Sequence, residues 1–210
     1  MTKAAVFLFD LTGVMAEPWA EAGYDCYCFD IQHPEGITQD PIYDNIYLIG
    51  GDISKGVTLP AGVKERVAFA AAFPPCDHLS VSGARWFKGK GLRKLAWSIE
   101  LFATAAEFCE ELDVPYLIEN PVSTISTYWR KPDHTFHPHQ WTNLCPNDNY
   151  TKKTCLWVGG GFVMPPPDKD ESLPAPDDRI HKCAPSENRA NIRSATPEGF
   201  AKAVFKYNHK

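Results

Sequence analysis

A chain of 210 residues, 44% hydrophobic and 12% aromatic, is about one domain long and has enough apolar surface for a substantial core. Its net charge of -5 and pI near 5.8 argue against a protein that holds duplex DNA mainly by phosphate neutralisation, leaving localised contact as the most this balance supports. Seven cysteines without regular spacing, no signal-peptide pattern and no apolar run of spanning length point to a reduced, cytoplasmic chain with no membrane partner and no disulfides.

The apolar run at residues 4–9 stops at Asp10, Thr12 and Gly13, as a buried parallel strand feeding a turn does. Pro18, Trp19, Ala20 and Ala22 before Gly23 fit a short helix with proline in its first turn. A second strand over residues 24–31 delivers Asp30 at its carboxyl end, and a third, residues 46–49, runs into Gly50-Gly51-Asp52. A fourth, residues 67–73, precedes Pro74-Pro75-Cys76, and a fifth, residues 114–118, precedes Glu119-Asn120-Pro121. Leu92, Leu95, Ala96, Ile99, Ala103, Ala106 and Leu112 recur at helical spacing between the last two, which predicts a crossover and a mainly parallel sheet. In such a sheet the strand ends converge on one cleft.

After residue 121 proline, asparagine, histidine and tryptophan become frequent, and residues 165–178 read as a surface loop or partly mobile lid. Residues 152–158 suit one more strand, and 197–207 a closing helix with Thr196 as its N-cap. His134, His137, His139, Cys145 and Cys155 match no standard zinc spacing, so no metal is expected.

A cysteine on a proline-stiffened loop, with a carboxylate ending a neighbouring strand, is the pattern of a nucleophile and its acid or hydrogen-bonding partner. Pro74, Pro75, Cys76, Ser80 and Gly83, followed by Glu119, Asn120 and Pro121, resemble the catalytic motifs of cytosine-C5 DNA methyltransferases, especially short phage and prophage proteins of that kind. The resemblance runs through most of residues 4–121, more loosely through Glu187, Arg189, Arg193 and Thr196 to Phe205, and implies a single α/β domain over 1–210. Its fold would be the Rossmann-like, S-adenosylmethionine-dependent methyltransferase fold, mainly parallel with helices on both faces and a small irregular recognition region at 122–185.

The resemblance implies Cys76 as the nucleophile at cytosine C6 and Glu119 on the N3 and N4 edge. It implies cofactor contacts from Asp10, Thr12, Gly13, Asp30, Ile31, Asp52, Ile53 and Pro74, although an Asx-type turn would also employ Asp10. Ser80, Gly83, Arg85, Asn120, Pro121 and Lys153 fall at substrate-binding positions, the partner being DNA or a pyrimidine nucleotide, with a further protein supplying specificity as an option. Three positions depart from the family: Leu11 stands where the first-turn pattern has glycine, Asp77 follows the nucleophile in place of glutamine, and the recognition region is short. A non-methylating binding protein, or an enzyme using the same cysteine addition for another C5 group, are the alternatives.

Overall fold

Five successive apolar residues, Ala4–Leu8, form β1, and all five are buried, as the centre of a parallel sheet requires. The computed structural model describes residues 1–184, 186 and 189–209; Glu187 lies outside the described residues. After β1 come α1 (Glu17–Glu21), β2 (Asp25–Gln39), β3 (Ile46–Gly50), β4 (Val67–Ala72), α2 (Phe87–Lys90), α3 (Leu92–Glu111) and β5 (Tyr116–Pro121). Then follow α4 (Ile125–Tyr128), β6 (His134–Phe136), β7 (Thr154–Gly159), α5 (Arg179–Lys182), α6 (Arg189–Ser194) and α7 (Glu198–Asn208).

The strands form one seven-stranded sheet of order β3-β2-β1-β4-β5-β7-β6. β1 pairs in parallel with β2 and β4, and β4 with β5, while β7 is antiparallel to both β5 and β6. This is an α/β architecture of Rossmann-like topology, and the chain reverses its direction of travel across the sheet between β1 and β4.

Alternation along β1 divides the core. Ala5 and Phe7 join the cluster that contains Trp19 of α1 and Phe200, Ala201, Ala203 and Val204 of α7. Ala4, Val6 and Leu8 face the cluster that holds Phe102, Ala105, Ala106 and Cys109 of α3. Helices therefore cover both faces. Trp19 stacks on Phe69 with 4.3 Å between ring centroids and meets Phe205 edge-on at 5.1 Å, which locks α1, β4 and α7 together. None of the seven cysteines is paired, and five are buried. Among the described residues no helix is long and apolar enough to cross a membrane.

Some expectations need correction. β2 does not end near Asp30 but continues to Gln39. Its first half lies beside β3 with Phe29 opposite Ile49; the chain then turns and comes back, placing Ile37 opposite Ile49, Thr38 opposite Leu48 and Gln39 opposite Tyr47. The backbone of His33 and Pro34 crosses Gly50 so closely that a Cβ there would stand 2.1 Å from the Pro34 carbonyl oxygen. Glu119 is not beyond β5 but within it, opposite Leu156, because β7 supplies an antiparallel partner as far as Pro121.

Residues 165–178 form a surface loop without helix or strand, one of the two readings expected, and the loop is hydrogen-bonded to the body of the domain. Pro166 accepts from the Trp141 indole N–H at 3.0 Å, Asp168 N donates to Gln140 O at 2.7 Å, and Asn149 Nδ2 donates to Pro174 O at 2.9 Å. Thr151 N donates to Asp177 O at 2.8 Å, so the segment is a strap tied down along its length. The 122–185 region accordingly includes two strands of the sheet. Thr196 does not cap α7; Pro197 occupies the cap position, and the buried carboxylate of Asp148 accepts from Gly199 N at 2.7 Å, satisfying one of the helix's free donors from a distant segment.

Candidate functional site

Strand register fixes where the singled-out residues meet. Ile49, Phe29, Leu8, Ala72 and Ile118 form one row across β3, β2, β1, β4 and β5. The next residues along these strands are Gly50 with Asp52, Asp30, Asp10, Phe73 with Cys76, and Glu119. All of them lie on the carboxyl-terminal rim, on either side of the point where strand order reverses, which is where open α/β sheets bind ligands.

The β1 turn is built around Asp10. Its Oδ1 accepts from Gly13 N at 2.9 Å and from Thr12 N and Thr12 Oγ1, both at 3.2 Å, an Asx-type closure. Phe9 has φ 57° and Gly13 φ 69°; a glycine suits the second position because the left-handed region strains any residue with a Cβ. Asp10 is buried, and burial raises its carboxyl above the usual range against the pull of those hydrogen bonds. Its Oδ2 is buried without a hydrogen-bond partner. His33 Nε2 lies 3.0 Å from the Asp10 carbonyl oxygen, so the β2 return is fastened to the β1 turn with the ring proton on Nε2.

Asp30 is buried, and its Oδ1 accepts from Gln32 N at 2.8 Å; Ile31 beside it is 67% exposed. Asp52 accepts at Oδ1 from Ser54 Oγ at 2.7 Å and Ser54 N at 3.1 Å, and the Ser54 hydroxyl holds its carboxyl below the usual range. Ile53 is buried in the α3-side core, so it supports the rim from beneath.

The Cys76 loop and the Glu119 segment are sewn together. The buried Asn120 donates from Nδ2 to Pro74 O at 2.8 Å. Val81 N donates to Val122 O, and Thr124 N to Leu79 O, each at 2.9 Å, while Ser80 bridges to Ser123. Cys76 O accepts from Leu79 N and Ser80 N at 3.0 and 2.9 Å, and the fully buried Leu79 anchors the turn. Ser80 Oγ lies 2.9 Å from Ser82 Oγ. Pro121 ends β5 opposite Thr154. At Gly83 a Cβ would meet nothing within 4 Å, so neither space nor backbone demands glycine there, and Arg85 is exposed on the following turn.

Glu119 shares a narrow pocket with Phe73, Lys152, Thr154, Thr196 and Phe200. Its Oε1 is buried with no hydrogen-bond partner, and burial raises its carboxyl above the usual range, Lys152 opposing. The Cys76 thiol is pushed up to about 11 by burial first, then by Glu119 and Asp77, again with Lys152 opposing. Lys152 is thus the cation that bears on both groups, and the motif-based selection missed it. Alternation would have found it: Lys152, Thr154 and Leu156 share a parity, and Leu156 is the residue opposite Glu119. Lys153, the residue singled out, has the other parity and is exposed. The His137 and His139 rings stack at 5.5 Å, but among the described residues no group of three or more His, Cys, Asp or Glu side chains is arranged to hold a metal.

These shifts have a measurable consequence. With its thiol near 11, Cys76 is about one part in a thousand thiolate at pH 8, so iodoacetamide should alkylate it roughly a hundredfold more slowly than an unperturbed cysteine. The rate, followed by mass spectrometry of the Cys76 peptide, should climb about tenfold per pH unit from 8 to 10. Lys152→Met should slow it further at every pH in that range. A plateau below pH 9 would contradict this account of the thiol.

Comparison of the sequence with protein-family models and with curated proteins finds no match in either.

Proposed function

We propose that this chain transfers a methyl group from S-adenosylmethionine to C5 of a cytosine ring through covalent addition of Cys76 at C6. The observation that carries the reading is the stitching of the Cys76 loop to the Glu119 segment, which keeps the thiol within electrostatic reach of an unpartnered carboxyl. The motif resemblance supplies the reaction.

The rim suits the cofactor. A Cβ at Gly13 would meet nothing within 4 Å, so there is open space at the turn. Asp30 and Asp52 offer carboxylate oxygens at adjacent strand ends, suited to ribose hydroxyls and an adenine amino group, and exposed Ile31 offers an apolar surface for the adenine. When bound, S-adenosylmethionine supplies an electrophilic methyl.

Cys76 gives up its proton to solvent, and the thiolate forms the S–C6 bond while the electron pair of the C5–C6 double bond shifts to C5. Glu119, whose carboxyl burial keeps protonated to higher pH than usual, hydrogen-bonds N3 and favours that shift. Glu119 is also the second cause of the raised thiol, so protonating it eases formation of the thiolate. C5 would take the methyl with that electron pair as the methyl's bond to sulfur breaks, leaving S-adenosylhomocysteine; the C5 hydrogen then passes to solvent as a proton, the C5–C6 double bond returns and the Cys76 thiolate departs. Lys152 balances charge beside both groups.

The second reading, a binding protein that keeps the fold without the chemistry, is favoured by Leu11, half-buried in the turn where the family pattern has glycine. Calorimetric titration with S-adenosylmethionine separates the two. Saturable binding that weakens in Asp30→Ala, with a single added methyl on cytosine in digested DNA, is the expected result. No binding by the folded protein would overturn the methyltransferase reading.

A further inference from the structure

One stretch of this acidic chain carries positive charge alone. Between residues 78 and 99 stand Arg85, Lys88, Lys90, Arg93 and Lys94, with no Asp or Glu, although the whole chain has a net charge of -5. The segment leads directly out of the Cys76 loop, through the turn Val81–Trp86 and α2, into α3. A pocket of about 200 Å³ opens within it, lined by His78, Phe87, Lys88, Lys90, Leu92 and Leu95.

The start of α3 is unusual in its exposure. The helix has twenty residues, hence a length of about 30 Å, but its buried residues begin only at Ser98. Leu92 is 79% exposed and Trp97 50%. The first two turns therefore touch the core only through the half-buried Leu95, and Arg93 and Trp97, four residues apart, share an exposed face. Further along the same helix Trp129 rests edge-on against Phe102 at 5.9 Å, with the Arg130 guanidinium 4.5 Å from the Trp129 ring centroid. Cations interleaved with exposed aromatic rings are what single strands of nucleic acid bind to, phosphates on the charges and bases on the rings.

Duplex DNA keeps the faces of its bases inside the stack, whereas a single strand offers them to an exposed ring such as that of Trp97.

We propose that residues 85–97 form a ledge that binds single-stranded DNA and delivers it to the crevice at Cys76. The ledge deepens the methyltransferase reading by naming its substrate class, and rests on it only for the chemistry that follows binding. The phosphates lie along the exposed Lys88, Arg93 and Lys94, while Lys90 donates to the Asp77 carbonyl and ties the ledge to the Cys76 loop, and bases stack on Trp97.

Fluorescence anisotropy with a labelled twelve-nucleotide cytosine-containing strand and with its duplex, at two salt concentrations, tests this. The single strand should bind at least tenfold more tightly than the duplex. Lys88→Glu with Arg93→Glu, both exposed positions, should weaken it more than tenfold and flatten the salt dependence. Trp97→Ala should weaken it about tenfold with the salt dependence unchanged. Circular dichroism and melting check that each variant is folded. Equal or tighter duplex binding, indifference to the charge reversals, or no binding of either form by the folded protein would overturn the ledge; the last would leave it to an acidic protein surface. Strand binding without methyl transfer would sink only the methyltransferase reading, and transfer to duplex alone would sink only the ledge.

Discussion

Cys76→Ser is expected to lower methyl transfer by roughly 10⁵-fold or more, the scale on which removal of a covalent nucleophile acts. An alcohol is far less acidic than a thiol, and a neutral hydroxyl does not add to an aromatic carbon. The fold should not notice. The loop is held by the Cys76 carbonyl, which accepts from Leu79 N and Ser80 N, and by the bonds to Val122 and Leu79, none of which involves the sulfur. A melting temperature within about a degree of the parent, with S-adenosylmethionine binding retained, would isolate the loss to the bond-forming step. Full activity in the serine variant would remove the covalent mechanism altogether.

Gly50→Ala should produce a large loss of stability from a single methyl. The added Cβ would stand 2.1 Å from Pro34 O and 2.6 Å from His33 O, and both are backbone atoms that no rotamer change can move. Overpacking of this kind costs about 3 kcal/mol, or roughly 6–12 °C in melting temperature for a domain of this size. The damage should also reach the site, because His33 is fastened to the Asp10 carbonyl and the Asp30 turn precedes it. Urea denaturation together with S-adenosylmethionine titration would read both effects. An unchanged melting temperature would show that the β2 return shifts aside without penalty.

The parts of the fold that the sequence announced are those whose reasons are local. β1 and β4 are continuous apolar runs, so their type and burial could be read directly; the helical spacing in α3 gave its type, but its buried residues are Ser98, Leu101, Phe102, Ala105, Ala106 and Cys109, and of the seven residues at that spacing only Ala106 is among them. The return of β2 could not. Residues 32–39 contain His33, Pro34 and Gly36 and no clean alternation, and they become extended only because β3 offers them unpaired backbone groups. The strap at 165–178 reads from its prolines as a surface loop or partly mobile lid; its partners, the backbone and polar side chains of residues 140–151 some 25 positions away, leave no local signal. The three residues of β6 are too few for any periodic signal.

The candidate site shows the same division. Motif spacing picked out Cys76, Glu119 and Asn120, and register brings them to one rim with Asp10, Asp30 and Asp52. Which lysine stands beside Glu119 depends on the parity of a strand whose partner is more than thirty residues away, and charge alone could not choose between Lys152 and Lys153. Ile53 and Gly83 were singled out by position in a motif, whereas Ile53 is buried beneath the rim and Gly83 is not required sterically.

The doubled-back course of β2 also bears on how this chain behaves in a crowded solution. A terminal strand with free backbone donors and acceptors invites strands from other molecules, and β3 would be such a strand if only the first half of β2 lay beside it. Residues 35–39 occupy its outer side, and the margin they create is five residues long, carries Glu35, and is bracketed by Pro34 and Pro41, neither of which has an N–H to donate. At the opposite margin β6 spans only His134–Phe136, and Pro138 follows two residues later. Neither border gives an incoming strand a long template, so the sheet is protected against intermolecular strand addition and the aggregation that follows from it.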